Sequence, residues 1–256
     1  MKRRVEHHAL EHLADDEAIE VEDSLWWLQG RKAIIRRYLE QARAYKAIHA
    51  IADIGCGSGG NLEVLSEYGV VLGVEPSPVL AQRARSRGIA SSIIQKNAMQ
   101  LDEALEVELI TYFDVLEHIE DDATMLQRVR MAVPRDHLVL VSVPGCPLLD
   151  GEHDWLLHHH RRYSQLALKD ALSKGGYRLL KMEHFMFFLL PLAFVDRARD
   201  KMLALLHRGR TSINLAPVPP FLNRLLTGVV ASEASLSRYA RFPIGLWLFA
   251  LAERSA

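Results

Sequence analysis

Apolar residues follow a helical spacing at the start of the chain and a strand-like spacing further along. In residues 24–45, Ile35 and Leu39 recur at the interval of one helical turn behind the aromatic pair Trp26 and Trp27, so this segment predicts a helix. From residue 50 the pattern changes to short apolar runs that are rich in β-branched residues. The runs cover residues 50–54, 70–75, 91–95, 108–115 and 137–143.

These runs indicate strands of a parallel sheet, because such strands are covered on both faces and are apolar throughout. Helical stretches near 60–67, 78–87 and 121–132 fall between them. Alternating strands and helices joined by right-handed crossovers form a doubly wound sheet. The sequence therefore predicts an α/β fold in which the first strand delivers its loop to a ligand-binding crevice.

The second half of the chain predicts another helix, two more strands and a helical insertion. A helix begins near Ser164, a sixth strand covers 177–185, and a last strand-like run covers 244–253. Between these two strands lie two amphipathic stretches, 192–206 and 221–239, which the sequence APVPP separates. Because a proline-rich breaker ends a helix, the insertion is predicted to contain two helices, one on each side of this sequence.

The insertion is both basic and apolar. Residues 185–241 contain eight Lys or Arg against three Asp or Glu, in a chain whose formal net charge is −1. Leu222, Leu225, Val229 and Leu236 recur at helical spacing. This pattern is compatible with a substrate lid, a patch that contacts an anionic membrane surface, a dimerisation element, or a helical pair that completes the core.

Composition narrows the class of protein. With 49% hydrophobic residues the chain is too apolar for disorder, and its near-neutral charge disfavours nucleic acid as a partner. The two cysteines, Cys56 and Cys146, form no disulfide or metal-ligand spacing, which favours a reducing cytoplasm. The basic start MKRRVEHH leads into an acidic stretch, so we expect no secretory signal. The apolar runs at 185–195 and 244–252 are too short to span a bilayer.

The loop after the first strand, DIGCGSGGN, has two incompatible interpretations. Gly55, Gly57 and Gly60 match the GxGxxG fingerprint of dinucleotide-binding folds, whereas Asp53 followed by Gly55, Gly57 and Gly59 spells DxGxGxG. A carboxylate here would repel a pyrophosphate at the following helix N-terminus, but it accepts hydrogen bonds from a cationic amino-acid ligand. S-adenosylmethionine carries an ammonium, a sulfonium and no phosphate, so we favour it over NAD or FAD.

Glu75 ends the second strand, where a carboxylate can accept hydrogen bonds from both hydroxyls of a ribose. This residue does not discriminate between the two cofactors, because NAD sites use an acid in the same place. An exposed charge at a strand end is the alternative interpretation.

Three stretches, IADIGCGSGGNLEVL, VLGVEPS and FDVLEHIEDD, resemble the successive motifs of class I S-adenosylmethionine-dependent methyltransferases of the small-molecule type, which includes the ubiquinone-type O-methyltransferases. The resemblance covers roughly residues 24–187. It implies a Rossmann-like seven-stranded sheet with the last strand antiparallel and a helical insertion before it. The implied organisation is a methyltransferase domain at 1–187 plus 242–256, which includes the N-terminal helix, and an insertion at 188–241.

The resemblance also implies a cofactor site residue by residue. Glu75 binds the ribose, and Asn97, where many relatives have Asp, can still accept a hydrogen bond from the adenine amino group. Trp27 and Arg31 match a pattern in which the leading helix covers the cofactor, with docking of the tryptophans into the core as the alternative. The implied cofactor-binding residues are Trp27, Arg31, Asp53, Gly55, Cys56, Gly57, Gly59, Asn61, Glu75, Pro76, Ser77, Asn97, Ala98, Asp114, Val115 and Leu116.

His118 is the first candidate for a catalytic base, because it follows the fourth strand and an imidazole titrates near neutrality. Packing against the next helix is its alternative role. Asp114, Glu117 and His118 also occupy positions that resemble a metal-binding set of some ubiquinone O-methyltransferases. Since the same string occurs in many relatives without metal, we expect no metal.

The richest polar stretch, DGEHDWLLHHHRRYS at 150–164, follows the fifth strand. Its side chains can bind an anionic or sugar-like group and supply a base, or its arginines can simply pair with nearby acids. The stretch resembles an HD....H.RRYS string of methyltransferases linked to polysaccharide or lipid-linked sugar modification. The further catalytic candidates are His153 and His159, and the substrate-binding candidates are Asp154, Arg161, Arg162 and Tyr163.

The sequence thus predicts a cytoplasmic methyltransferase that uses S-adenosylmethionine and acts on a small or lipid- or sugar-linked acceptor, preferentially at oxygen. Peripheral contact with the inner face of the membrane through 185–241 is one hypothesis for the insertion. An NAD-dependent oxidoreductase and a non-catalytic cofactor-binding module are the alternatives. The sequence does not predict the oligomeric state.

Overall fold

The computed structural model describes residues 23–205 and 218–255, which form a seven-stranded sheet. The strands are β1 (Ala50–Ile54), β2 (Val70–Val74), β3 (Ser92–Ile94), β4 (Leu109–Phe113), β5 (Leu138–Pro144), β6 (Tyr177–Phe185) and β7 (Trp247–Arg254). Their order is β3-β2-β1-β4-β5-β7-β6, and β7 runs antiparallel to both of its neighbours. The predicted doubly wound sheet with an antiparallel last strand is confirmed.

Helices cover both faces of this sheet. They are α1 (Trp26–Tyr45), α2 (Leu62–Ser66), α3 (Pro78–Ser86), α4 (Asp122–Ala132), α5 (Glu152–Leu156), α6 (Gln165–Lys174), α7 (Leu190–Leu205) and α8 (Pro220–Leu236). Short 3₁₀ turns lie at Ala98–Gln100, Leu116–His118 and Pro147–Leu149. The sequence pattern did not predict α5, because its five residues are too few to show a helical period.

The apolar runs form strands because the sheet is buried on both faces. Every residue of β4 and of β5 is buried. One core cluster joins the sheet to α1 through residues such as Tyr38 and Phe249, and a second joins the opposite face to α4 and α6 through Met125 and Leu172. The strand order reverses beside β1, so the ends of β1 and β4 flank the crevice in which this fold class binds ligands.

Helix α8 belongs to the core, although the face it buries differs from the predicted stripe. Its buried residues are Val230, Glu233 and Ala234, whereas Leu222, Leu225 and Leu236 are exposed. Gly30 on α1 allows the close approach, since a Cβ at that position would lie 2.6 Å from the Cβ of Val230. The Glu233 carboxylate accepts backbone N–H bonds from Phe187 and Phe188 at 3.1 and 2.9 Å.

Helix α7 presents apolar side chains to solvent. Leu192, Val195 and Met202 are exposed, as is Phe221 at the start of α8. Of the residues that the structure describes, no helical segment has the length and apolar character required to cross a bilayer.

Candidate functional site

The loop after β1 uses the DxGxGxG spacing. Gly55, Gly57 and Gly59 have positive φ angles of 70°, 58° and 89°, and Gly60 is not among the positive-φ glycines of the described chain. Such angles are accessible to glycine at little cost and strain other residues. A Cβ at Gly55 would also lie 2.7 Å from a methyl group of Val115, whereas at Gly57 it would meet no atom within 4 Å. The loop therefore turns tightly and leaves open space beside Gly57.

Asp53 lies at the end of β1 with its side chain buried in the fold. The parallel pairing of β1 with β4 places it opposite Thr111, whose hydroxyl donates a 2.6 Å hydrogen bond to Oδ1. Its Oδ2 is buried and has no hydrogen-bond partner among the described residues. Burial raises the pKa of Asp53 to about 7, against the lowering effects of Thr111 and of the Arg31 charge. An unpartnered buried oxygen of this kind fits a ligand that donates a hydrogen bond and carries positive charge.

Glu75 joins the glycine loop to the next helix. Its buried carboxylate accepts the N–H of Gly57 and the N–H of Ser77, each at 2.9 Å. Ser77 caps α3 by accepting the N–H of Leu80, and Pro78 is the first residue of that helix. The predicted contact of Glu75 with the ribose hydroxyls stays a prediction.

Asn97 caps the 3₁₀ turn Ala98–Gln100. Its Oδ1 accepts the N–H of Met99 at 2.9 Å. A carbonyl oxygen has two lone pairs, so the predicted adenine contact of Asn97 is compatible with this cap and stays a prediction. The side chain of Cys56 is buried in the protein. Its thiol packs against Gly73 of β2, and burial raises the pKa of the thiol. The backbone of Cys56 is therefore the part of this residue that we expect to contact a ligand in the crevice.

Helix α1 passes over the glycine loop and contacts it through Arg31. This buried guanidinium pairs with the carboxylate of Asp114 and lies 3.5 Å from Oδ1 of Asn61. The rings of Trp27 and Trp247 lie 5.8 and 5.4 Å from its central carbon. Its Nε is buried and has no hydrogen-bond partner in the portion of the chain that the structure describes, so Arg31 keeps a donor for a ligand. Trp27 packs against Trp247, and through its contact with Arg31 it also borders the site.

The segment that follows β4 turns sharply. Asp114 has a φ of 57°, an angle that Asp tolerates better than most residues. The hydroxyl of Ser142 on β5 donates a 3.2 Å hydrogen bond to its carboxylate. Val115 is partly exposed and Leu116 is fully buried. The turn thus directs Asp114 toward Arg31 and the glycine loop.

Glu117, His118 and His159 lie together beyond the ends of β4 and β5. One ligand-type atom from each of the three side chains lies within 4.8 Å of the other two, and the rings of His118 and His159 are 4.7 Å apart. Glu117 is 0% exposed, and no residue in the described part of the chain hydrogen-bonds to either carboxylate oxygen. Burial, followed by the nearby charge of Asp114, raises the pKa of Glu117 well above its usual range.

Asp154 organises the polar stretch after β5. It lies 3.2 Å from Nδ1 of His159, 2.8 Å from Arg162 and 3.5 Å from Arg197 of α7. Burial alone would raise its pKa, but hydrogen bonds from His159 and Arg162, together with the charges of Arg162 and Arg197, hold the pKa of Asp154 well below its usual range. The buried carboxylate is therefore charged and fixes the position of His159.

Arg161 and Tyr163 contact the start of α4. The Tyr163 side chain is buried, and its hydroxyl donates a 2.5 Å hydrogen bond to a carboxylate oxygen of Asp122. Arg161 donates a 2.6 Å hydrogen bond to the carbonyl of Glu120. These contacts give both side chains a structural role, and their predicted substrate contacts stay predictions. The side chain of His153 lies outside the described residues.

Three residues of the site had no signal in the sequence motifs. Thr111 and Ser142 lie within apolar strands, and only the strand register brings them to Asp53 and Asp114. Arg197 lies in the insertion, far from Asp154 in the chain. A register argument could have found Thr111, but nothing local in the sequence pairs Arg197 with Asp154.

Comparison with known proteins places this arrangement in context. A family model described as a methyltransferase domain matches residues 26–182. No curated protein matches the sequence.

Several solved structures share the fold. One is a protein assigned as a methyltransferase in complex with the Haloferax volcanii Trm112 activator, with a TM-score of 0.58 and 15% identity over 97% of this chain and 98% of that one. The plantazolicin methyltransferase BpumL, in complex with S-adenosylhomocysteine, has a TM-score of 0.56 and 13% identity over 94% of this chain and 89% of that one. A Thermotoga maritima S-adenosylmethionine-dependent methyltransferase has a TM-score of 0.54 and 14% identity over 90% of this chain and 93% of that one. At these identities the likeness establishes the fold.

Proposed function

Because the chain belongs to the methyltransferase domain family, we propose that it transfers a methyl group from S-adenosylmethionine to a hydroxyl oxygen of a small or lipid- or sugar-linked acceptor. The observation that carries this proposal is the unpartnered, buried Oδ2 of Asp53 beside three positive-φ glycines. A dinucleotide would bring a pyrophosphate to this carboxylate, whereas an amino-acid ligand brings an ammonium.

The other residues of the crevice fit the remaining parts of such a cofactor. The Nε of Arg31 is a buried donor that no described residue binds, and it is suited to a carboxylate. Glu75 follows β2, where we expect its carboxylate to bind the ribose hydroxyls, and Asn97 and Ala98 follow β3, where we expect the adenine. The S-adenosylhomocysteine complex of the structurally similar plantazolicin methyltransferase supports the same cofactor class.

The bound sulfonium supplies a methyl group that the acceptor oxygen attacks, so that the new C–O bond forms as the S–C bond breaks with its electrons on sulfur, leaving S-adenosylhomocysteine. The protein then needs to align the acceptor, exclude water and handle the hydroxyl proton. His118 and His159 lie together beyond β4 and β5, next to the segment that borders the glycine loop. Two imidazoles at this place favour a hydroxyl acceptor, because they can assist the loss of its proton.

The acceptor side of the site combines polar and apolar surface. Arg162, Asp154 and Arg197 form a buried charged group, while Leu148 and Trp155 from the same loop are 76% and 70% exposed. An exposed indole offers a face for a sugar ring or an acyl chain. This surface supports a sugar- or lipid-linked acceptor. The exposed apolar residues of α7 and α8 support a second part of the proposal, a cytoplasmic protein that contacts the membrane peripherally through residues 185–241.

The test is transfer of a labelled methyl group. Purified protein is incubated with methyl-labelled S-adenosylmethionine and with the water-soluble and the lipid fractions of a cell extract. We expect label in a lipid- or sugar-containing product that releases no label under conditions that cleave methyl esters, as an ether should behave. Cofactor binding without label transfer to any fraction would favour a non-catalytic module, and stabilisation by NADH instead of S-adenosylhomocysteine would overturn the cofactor assignment.

Binding of S-adenosylhomocysteine is expected to depend on pH through Asp53. Burial raises the pKa of this carboxyl to about 7, the Thr111 hydrogen bond and the Arg31 charge oppose the shift, and the Glu75 charge adds to it. Since an ammonium binds the ionised form, the affinity should fall about tenfold for each pH unit below 7 and level off above it. Calorimetry between about pH 5.5 and about pH 8.5 measures this. A flat profile in the wild type would contradict the assignment, and Asp53→Asn should show weak, pH-independent binding.

A further inference from the structure

We propose that Glu117, His118 and His159 form a binding site for one divalent metal ion of the zinc class. A carboxylate and two imidazoles converge here, with one ligand-type atom of each within 4.8 Å of the others. Around a tetrahedral ion with bonds of about 2.1 Å, neighbouring ligand atoms are about 3.4 Å apart. Side-chain movements of about 1 Å would therefore close the three groups around an ion.

The carboxylate of Glu117 is the observation that points to a cation. The side chain is 0% exposed, and within residues 23–205 and 218–255 both of its oxygens lack a hydrogen-bond partner. A buried carboxyl group without partners is costly, and proteins normally pair such groups or use them to coordinate metals. The backbone holds it in place, because the N–H of His160 donates a 2.7 Å hydrogen bond to the carbonyl of Glu117. This bond joins the segment after β4 to the loop that carries His159.

The surroundings of His159 also match a metal ligand. Its Nδ1 lies 3.2 Å from the carboxylate of Asp154, which is itself held by Arg162. Metal-binding histidines usually donate one ring N–H to a carboxylate, which orients the other nitrogen toward the ion. The contact with Asp154 thus leaves Nε2 of His159 for the metal. The neighbouring residue His158 has a φ of 57°, so the backbone turns sharply where His159 is presented.

These three ligands differ from Asp114, Glu117 and His118, the set that the DVLEH string alone suggests. Asp114 pairs with Arg31 and accepts a hydrogen bond from Ser142, so it is not needed as a ligand. His159, 41 positions after His118, takes its place in space. Two imidazoles with one carboxylate suit Zn²⁺ or a similar transition metal, whereas Mg²⁺ prefers oxygen ligands.

Three protein ligands leave a coordination position open, as in catalytic zinc sites. In methyl transfer, a role that rests on the function proposed above, an ion at this place lowers the pKa of a hydroxyl held beside it. The hydroxyl proton then passes to solvent, and the two imidazoles serve as ligands instead of proton acceptors. Zinc binding itself does not depend on that role.

The test is a calorimetric titration of tag-free, chelator-treated, full-length protein with Zn²⁺, without cofactor or acceptor. We expect the wild type to bind one equivalent that Glu117→Gln and His159→Ala lose or bind at least about tenfold more weakly. His160→Ala is the matched control, because it removes an exposed imidazole one position away and should leave the affinity unchanged. Because His7 and His8 could bind Zn²⁺ themselves, the quantity measured is the difference between the wild type and each variant.

Equal stoichiometry and affinity in the wild type, Glu117→Gln and His159→Ala would overturn the site, as would binding of Mg²⁺ in preference to Zn²⁺. Glu117→Gln preserves the shape of the side chain, and melting curves without metal check its folding. If that variant is unfolded, His159→Ala decides. Zinc binding with no methyl transfer to any acceptor would overturn the proposed function and leave this site standing, whereas methyl transfer without zinc binding would do the reverse.

Discussion

Replacement of Asp53 by alanine is expected to weaken the binding of S-adenosylhomocysteine by about 30-fold to 3,000-fold. Loss of a buried, charged hydrogen-bond partner typically costs about 2–5 kcal/mol of binding free energy, and about 1.4 kcal/mol corresponds to a factor of ten. No described residue hydrogen-bonds to the buried Oδ2 of Asp53, so the replacement removes the bond of this oxygen to the ligand, together with the Thr111 bond to Oδ1. Calorimetric titration of the variant at pH 8, above the pKa of about 7, measures the loss with the wild-type carboxylate ionised.

Two matched variants separate the charge from the fold. Asp53→Asn keeps the acceptor that the Thr111 hydroxyl binds and removes only the negative charge, so it should lose most of the same affinity. Thr111→Val keeps the carboxylate but removes a hydrogen bond that lowers its pKa. The pH at which the affinity levels off should therefore move upward, and above that pH the variant should bind nearly as tightly as the wild type. Unchanged affinity in both Asp53 variants, with the protein folded, would rule out this carboxylate as the ammonium-binding group.

Replacement of Glu183 by alanine is expected to lower the free energy of unfolding by about 3–5 kcal/mol, because it leaves a buried charge without its partner. Glu183 on β6 binds Arg37 of α1 at 2.7 Å, and both side chains are almost fully buried. The same guanidinium donates to the carbonyl of Ser237 just after α8, and the Tyr38 hydroxyl lies 3.3 Å from the carboxylate. Urea denaturation measures the loss as a shift of the unfolding midpoint.

A neighbouring ion pair on the same helix provides the control. Arg36 pairs with Glu67 at a site where both side chains are about two-fifths exposed, and such surface pairs are worth about 0–1 kcal/mol. Glu67→Ala should therefore change the unfolding free energy little. The double variant Arg37→Met, Glu183→Leu should recover much of the stability lost in Glu183→Ala, since no charge is then left buried alone. Equal effects of Glu183→Ala and Glu67→Ala would contradict the importance of burial.

The strands and most helices could be read from the sequence because their signals are local. β1 and β6 have the predicted boundaries, and Ser77 with Pro78 begins α3 as the capping pattern indicates. α8 shows where local signals fail. The predicted stripe includes Leu222 and Leu225, but α8 buries Val230 and Glu233 instead, because the glycine that admits it lies on α1, 200 positions earlier.

The glycine loop shows the same division at the level of the site. The letters of the loop satisfied two fingerprints at once, and only the backbone angles select Gly59 over Gly60. The resemblance of the three motifs to those of class I methyltransferases nevertheless predicted the family, which the family match confirms. The site could be located from the sequence because Asp53 and Glu75 lie at strand ends, and the ends of parallel strands meet at one edge of a sheet.

By itself, the sequence determined the order of strands and helices, the family, and the location of the cofactor loop, because periodicity and strand-end motifs are properties of neighbouring residues. Only the tertiary structure decided which side chains from distant parts of the sequence lie next to each other. It brought Thr111 to Asp53, Arg197 to Asp154 and His159 to Glu117. Burial and the absence of a partner, which give Asp53 and Glu117 their chemistry, arise from strand register and from the closing of loops, and no short stretch of sequence encodes either.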